Sequence, residues 1–281
     1  MTDYFSIVWP EKNLSYSSWK KYANLTRVSG GKKLWMMYHQ RFGNQYAVGR
    51  DCFYDILDTH GLKVRRRMRK PRTTDSTHGL PTFPNLVKDY IPDAKNRLWV
   101  SDITYIPIHP NPENMEEYSF SYLSLLQDAY TKEIIGYSVG DTLEAKYPLE
   151  ALGMGLKHLS GTGQGLIHHS DRGCQYASYA YVGILSKNGI AVSMTESGDP
   201  KENAMAERIN STIKNELLKG MVFTSIAEVK KAVRTAVDFY NTRRPHMSIN
   251  MMTPKQAADC KGEIKKMWNS RREQAIKQAR T

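Results

Sequence analysis

Three carboxylates carry the chemistry that this sequence can do: Asp102, Asp171 and Glu207, with thirty-five residues between the second and the third. Hard divalent ions take oxygen ligands. Mg2+ is held through one or two carboxylates, the rest of its shell going to waters and phosphate oxygens. A pair of such ions can activate an attacking oxygen and stabilise a leaving one during in-line displacement at phosphorus. Two aspartates and a glutamate could hold that pair, and the chemistry would be phosphodiester cleavage or transfer. Taken singly, each acid reads otherwise, Asp102 as a satisfied strand or turn acid and Glu207 as a solvated helical glutamate. The functional reading rests on the three together in one fold. His168 and His169 adjoin Asp171. Neighbouring strand residues face opposite ways, so one of the two is expected to pack in the core and the other to lie beside the site, partnering an acid or positioning a scissile phosphate. A histidine pair with no cysteine partners does not suggest zinc.

The elements that must position these residues follow in a readable order. The runs 98–108, 119–130 and 133–139 are β-branched and aromatic and predict three strands joined by hairpin-like connections. An apolar-periodic helix is expected over 145–159, a strand over 165–171, a helix over 175–189, a strand over 190–194 and a long helix over 203–220, with a further helix over 225–243. In the helix that carries Glu207, Ala206, Ile209, Ile213 and Leu217 form the buried stripe, and Asn203, Asn210, Ser211 and Lys214 form the polar face beside it. Three antiparallel strands, then helix, strand, helix, strand and helix is the order of the ribonuclease H-like fold. This is an α/β architecture, a mixed five-stranded sheet with flanking helices. Its first and fourth strands lie side by side, so acids at their ends converge.

Charge divides the chain. Residues 1–97 hold 18 Lys and Arg against 8 Asp and Glu, residues 98–260 hold 15 against 18, and residues 261–281 hold 7 against 2. Basic ends around a near-neutral middle suit a polyanion, because neutralised phosphates release counterions; a basic solubility surface or an anionic membrane is the competing reading. The N-terminal part reads as helices over 33–42 and 47–61, followed by 63-KVRRRMRKPR-72 with seven basic residues in ten. Residues 1–70 are thus expected to form a small helical, helix-turn-helix-like DNA-binding region. Residues 71–97 read as a basic, proline-containing linker, 98–258 as the core and 259–281 as a basic tail. Cys52, Cys174 and Cys260 are odd in number and scattered, which points to a reducing compartment without disulfides. No stretch is long and apolar enough for a membrane span, and residues 1–10 do not read as a secretory signal.

The motifs 99-WVSDITYI-106, 122-YLSLLQDAYTKEIIGYSV-139, 168-HHSDRGCQY-176, 203-NAMAERINSTIKNEL-217 and 240-YNTRRPHMSI-249, with the following Thr253-Pro254, resemble the catalytic subunit of bacterial two-frame insertion-sequence transposases, relatives of retroviral integrases. The resemblance spans roughly residues 31–258. It implies metal-dependent cleavage of element ends and strand transfer into target DNA, with Asp102, Asp171 and Glu207 as metal ligands. Mg2+ would be the ion, with Mn2+ able to substitute. Trp99, Asp128, His169, Gly173, Asn203 and Lys214 match signature positions. One departure is Glu202-Asn203, where the family often has Asp-Asn. The resemblance also implies element ends and target DNA as partners, a homo-oligomer on DNA, a possible product of an upstream reading frame, and a cytoplasmic, nucleoid-associated protein without membrane contact. Contacts to DNA are expected from Arg65, Arg66, Arg67, Asn210, Lys214 and Arg243. A transposase-derived protein that only binds DNA is the alternative, disfavoured by the intact acids. A ribonuclease H-type nuclease is disfavoured by the basic N-terminal region and the spacing of the acids. A retroviral integrase proper is disfavoured because no histidine–cysteine zinc module precedes the core.

Overall fold

The computed structural model describes residues 30–42, 49–59, 79–111, 113, 117–159, 161–196, 200–268 and 270–279. The chain divides into two compact units, Met1–Pro71 with Asn215–Lys219, and Arg72–Lys214 with Gly220–Thr281. In the first, α1 (Gly31–Phe42) packs against α2 (Arg50–Thr59). Leu34 and Phe53 are its buried side chains among these helices. The basic run 63–72 and the expected stop at Gly61 lie outside the described residues.

The second unit is built on five strands: β1 (Leu98–Ile108), β2 (Ser119–Asp128), β3 (Ile134–Gly140), β4 (Ile167–Ser170) and β5 (Ala191–Met194). Their order in the sheet is β3-β2-β1-β4-β5. The first three are antiparallel and β4 and β5 join in parallel, so the sheet is mixed, with β1 against β4 at its centre.

One face of the sheet is covered by α3 (Lys146–Leu156), α4 (Cys174–Ala177) and α5 (Tyr179–Lys187). Trp99, Leu126, Ile135, Leu152, Tyr176, Tyr181 and Leu185 form a continuous apolar cluster there. α3 lies unusually close: a Cβ on Gly136 would overlap the Ala151 carbonyl oxygen, and one on Gly155 would overlap Leu126. The helix expected over 175–189 is broken at Ser178. Its extended backbone (φ −59°, ψ 142°) lets its hydroxyl donate to the Gln175 carbonyl and accept from the Tyr181 amide, ending one helix and capping the next.

The other face carries α6 (Ala204–Thr212), which follows a 3-10 turn over Pro200–Asn203 and widens into a π-helical turn over Ile213–Leu217. Leu98, Val100 and Ala129 pack with Ala206 and with Val87. α7 (Ile226–Thr242) packs against β3 and against α8 (Pro254–Ala257), which Thr253 and Gln256 open with a reciprocal capping box.

Two segments are more ordered than expected. The end of the stretch read as a linker lies on the sheet: Leu80 and Phe83 join the larger apolar cluster, Val87 is buried, and Leu86 donates its amide to Ser193 Oγ at 2.9 Å. Apolar residues between its prolines give it something to bury. Within the basic tail, Arg271–Ala279 is a helix, α9, with Ile276 buried, and the Tyr130 hydroxyl reaches the Gly262 carbonyl. Among the described residues, no helix is long and apolar enough to cross a membrane.

Candidate active site

Leu98, Trp99 and Val100 of β1 pair in parallel with Ile167, His168 and His169 of β4. The pairing ends two residues short of both acids, so Asp102 and Asp171 each lie just beyond the paired stretch. Asp102 is buried, while Asp171 is half-buried just past the end of β4. Charge gives a second measure of their proximity. The Tyr176 phenol is pushed well above its usual range, first by burial and then by Tyr181, Asp102 and Asp171, so both carboxylates act on one hydroxyl. The backbone amide of Gly173 donates to Asp171 Oδ1 at 3.0 Å. A Cβ at Gly173 would also stand 3.0 Å from that oxygen, so glycine leaves room at the carboxylate.

The third acid comes from α6. Asn203 donates its amide to the Ser101 carbonyl at 3.0 Å, and Asn210 donates to Asp102 Oδ2 at 2.8 Å. Residues 203, 207 and 210 are four and three apart and share one side of the helix. Glu207, half-buried, therefore lies between two asparagines that fasten α6 to β1 around Asp102. Among the described residues, no three His, Cys, Asp or Glu side chains are gathered into a group that could hold a metal ion as they stand. The structure thus brings two aspartates onto adjacent strands and Glu207 onto the helix fastened over one of them.

The oxygens around them suit a hydrated cation. Asn203 Oδ1, Asn210 Oδ1 and the Tyr176 hydroxyl are buried with no hydrogen-bond partner. Oxygen acceptors beside carboxylates are what the waters of a hard ion would meet, so the residues present fit such an ion.

The two histidines diverge. His168, opposite Trp99, lies on the Trp99 face, with Nε2 2.9 Å from both Ser101 Oγ and the Tyr181 hydroxyl. Burial, with His169 alongside, lowers its pKa to about 3. A pKa depressed on folding makes the unfolded chain bind the proton first, so stability is lost as pH falls from about 6.5 toward 3. Each unit of difference is worth about 1.4 kcal/mol. Urea midpoints measured across that window should fall with acid, and His168→Gln should flatten the fall; equal slopes for both proteins would refute this source. His169, on the opposite face, has Nδ1 2.9 Å from Ser193 Oγ and Nε2 3.0 Å from the Glu202 carbonyl.

Other expected site residues take varied places. Trp99 is fully buried and donates its indole N–H to Asn96 Oδ1 at 3.1 Å. Asp128 collects the amides of Asn96, Tyr130 and Thr131, tying the β2–β3 turn to the start of β1. Asn210 was expected on an exposed face; it is buried, because its amide serves a buried carboxylate. Lys214 is half-buried and Arg243 is exposed at the end of α7. Arg244, by contrast, is buried, its guanidinium over the Tyr240 ring and beside His246. Arg65, Arg66 and Arg67 lie outside the described residues. Sequence reasoning passed over Tyr176 and Ser193. The first sat inside a quoted motif, while the second had no local signal.

Comparison with known proteins gives the family and the fold. The integrase core domain family matches residues 92–200, and a second family model of the same description matches residues 188–254. A 31 kDa protein of insertion element IS600 from Shigella sonnei is 33% identical over 213 residues, covering 75% of this chain and 75% of that protein. The transposase of insertion sequence element IS629 from Shigella sonnei is 31% identical over 220 residues, covering 78% of this chain and 69% of that protein. Among solved structures, a chain of the simian T-cell lymphotropic virus intasome superposes with a TM-score of 0.50 at 17% identity, covering 86% of this chain and 81% of that one, and shares the fold. Identity above 30% across more than two thirds of these relatives, together with the integrase core in sequence and in fold, makes this chain a member of the bacterial insertion-sequence transposases.

Proposed function

We propose that this DNA transposase cuts and joins strands at a centre formed by Asp102, Asp171 and Glu207, loaded with Mg2+ or Mn2+. What supports the reading is the pairing of β1 with β4 just ahead of the two aspartates, with Asn203 and Asn210 fastening the helix of Glu207 to β1 around Asp102. When bound, the ions would activate the attacking oxygen and stabilise the leaving one.

The chain's own residues do the rest. Asp102 presents its carboxylate from β1, paired there with β2, and Asp171 presents its own from the turn just past the end of β4. Asn210 holds Asp102 Oδ2 in one orientation, and the Gly173 amide does the same for Asp171 Oδ1. Preset ligands need little reorganisation at the moment of reaction. In the first step water attacks phosphorus at an element end and the bond to the 3′ oxygen breaks, leaving a 3′-hydroxyl. In the second, that oxygen attacks a target phosphorus and displaces the target's own 3′ oxygen. One phosphodiester is exchanged for another, so joining needs no nucleotide cofactor.

Lys214, Arg243 and the run Arg65–Arg67 would supply phosphate contacts, which position DNA without reading bases. Work at both ends of an element would bring two or more copies together on DNA, with an upstream-frame product as a further partner. The test is a cleavage assay on DNA carrying candidate element ends. Cleavage and joining are expected in Mg2+ and Mn2+ and not in Ca2+, which coordinates more loosely. Equal activity in Ca2+ or in chelator would overturn the proposal.

A further inference from the structure

We infer that His169 is a positioning residue for the helix of Glu207, clamping the Glu202 carbonyl through the ring tautomer that this carbonyl requires and the Ser193 hydroxyl completes; this rests on the reading of Glu207 as an active-site acid. His169 and Ser193 are register partners on β4 and β5, and both are almost fully buried. The Glu202 carbonyl, 3.0 Å from Nε2, can only accept, so Nε2 carries the hydrogen. Nδ1 then offers a lone pair and needs a donor. The Ser193 hydroxyl, 2.9 Å away, is that donor, and its oxygen accepts the Leu86 amide at 2.9 Å. Donation therefore runs one way: Leu86 N–H to Ser193, Ser193 O–H to Nδ1, and Nε2–H to Glu202. The other tautomer would set two lone pairs against each other across the 3.0 Å contact.

What is clamped matters. Glu202 lies in the 3-10 turn that leads into α6, and Glu207 follows within the first turn and a half. α6 has no side-chain cap, and the Asn203 side chain at its N-cap turns its NH2 to the Ser101 carbonyl. Its start is held instead by that bond and by His169. Glu202 also accepts the Glu196 amide through its carboxylate, closing the preceding loop onto the same residue. A slack turn here would let α6 slide along β1, and the Glu207 carboxylate would slide with it.

Two substitutions divide the ring's functions. In His169→Asn the side-chain oxygen can take the place of Nδ1 and keep Ser193, but nothing reaches Glu202. In His169→Gln the amide nitrogen takes the place of Nε2 and restores the clamp. His169→Asn should lower kcat for strand transfer about 10–100-fold, the range for losing a partner that orients a ligand, with KM for DNA nearly unchanged. His169→Gln should recover most of that loss. Hydrogen exchange of the amides over 203–210, measured without metal, should quicken in the Asn variant and return toward wild type in the Gln variant. Ring 15N shifts of the wild-type protein should show the proton on Nε2, which needs no variant to fold. Equal losses in both variants with unchanged exchange, or a proton found on Nδ1, would overturn the inference. If instead Glu207→Gln joins DNA as well as wild type, the catalytic reading of Glu207 fails, while exchange and ring shifts still decide the clamp.

Discussion

Asp171→Asn is expected to lower strand cleavage at least about a thousandfold, roughly 4 kcal/mol of barrier, while DNA affinity stays within about threefold. The amide has the shape of the carboxylate. Its oxygen can still accept the Gly173 N–H, so the turn after β4 keeps its form and the melting temperature should hold. What it lacks is the negative charge, and a hard cation discriminates sharply on charge. Without metal, losing one negative charge near bound DNA favours binding slightly. Cleavage of end-labelled DNA under single-turnover conditions, beside a binding titration at the same salt, separates the two quantities. A variant that cuts at the wild-type rate removes Asp171 from the centre. One that neither binds nor melts like the wild type points to an unfolded protein, and Asp171→Glu is then the variant to measure.

The second large effect is on stability. Trp99→Ala is expected to destabilise the second unit by about 3–5 kcal/mol, a large fraction of what a domain of this size has in total. Trp99 is fully buried at the centre of the larger apolar cluster, touching the layer of α3 and α5, and its indole N–H is satisfied by Asn96. Alanine leaves a cavity and an unanswered amide oxygen. Trp99→Phe fills most of the cavity and loses only the bond, so it should fall between the two. Urea midpoints at constant m-value would show the ranking. A midpoint for Trp99→Ala within error of wild type would mean that this tryptophan is not the centre of the core.

The expectations that held are those in which local chemistry and tertiary demand coincide. β1 spans Leu98–Ile108 as its alternating β-branched and aromatic residues require, and the stripe Ala206, Ile209, Ile213 and Leu217 is buried along its length. The misses have one cause. Polarity along a helix says which face is polar, not whether a buried acid waits on that face, so Asn210 read as exposed. Ser178 looked like one more small residue in a helix, because a hydroxyl that caps its own chain leaves no periodic trace. His169 meets residues 24 and 33 positions away, and no local window contains them. The adjacency of β1 and β4 was legible because the order of elements, rather than any single residue, determines which strands become neighbours.

β1 pairs with β2 along its whole described hairpin but with β4 over three residues only, and the two parallel strands part just before their aspartates. In evolutionary terms the fork divides the labour of descent. The three rungs below it fix where the acids stand and leave little freedom to insert or delete. Above it, β3 braces the β1–β2 hairpin as far as Tyr122, and the His109 amide ties its far end to the Phe223 carbonyl. Changes in hairpin length between those two anchors would leave the three rungs, and the acids just past them, where they stand.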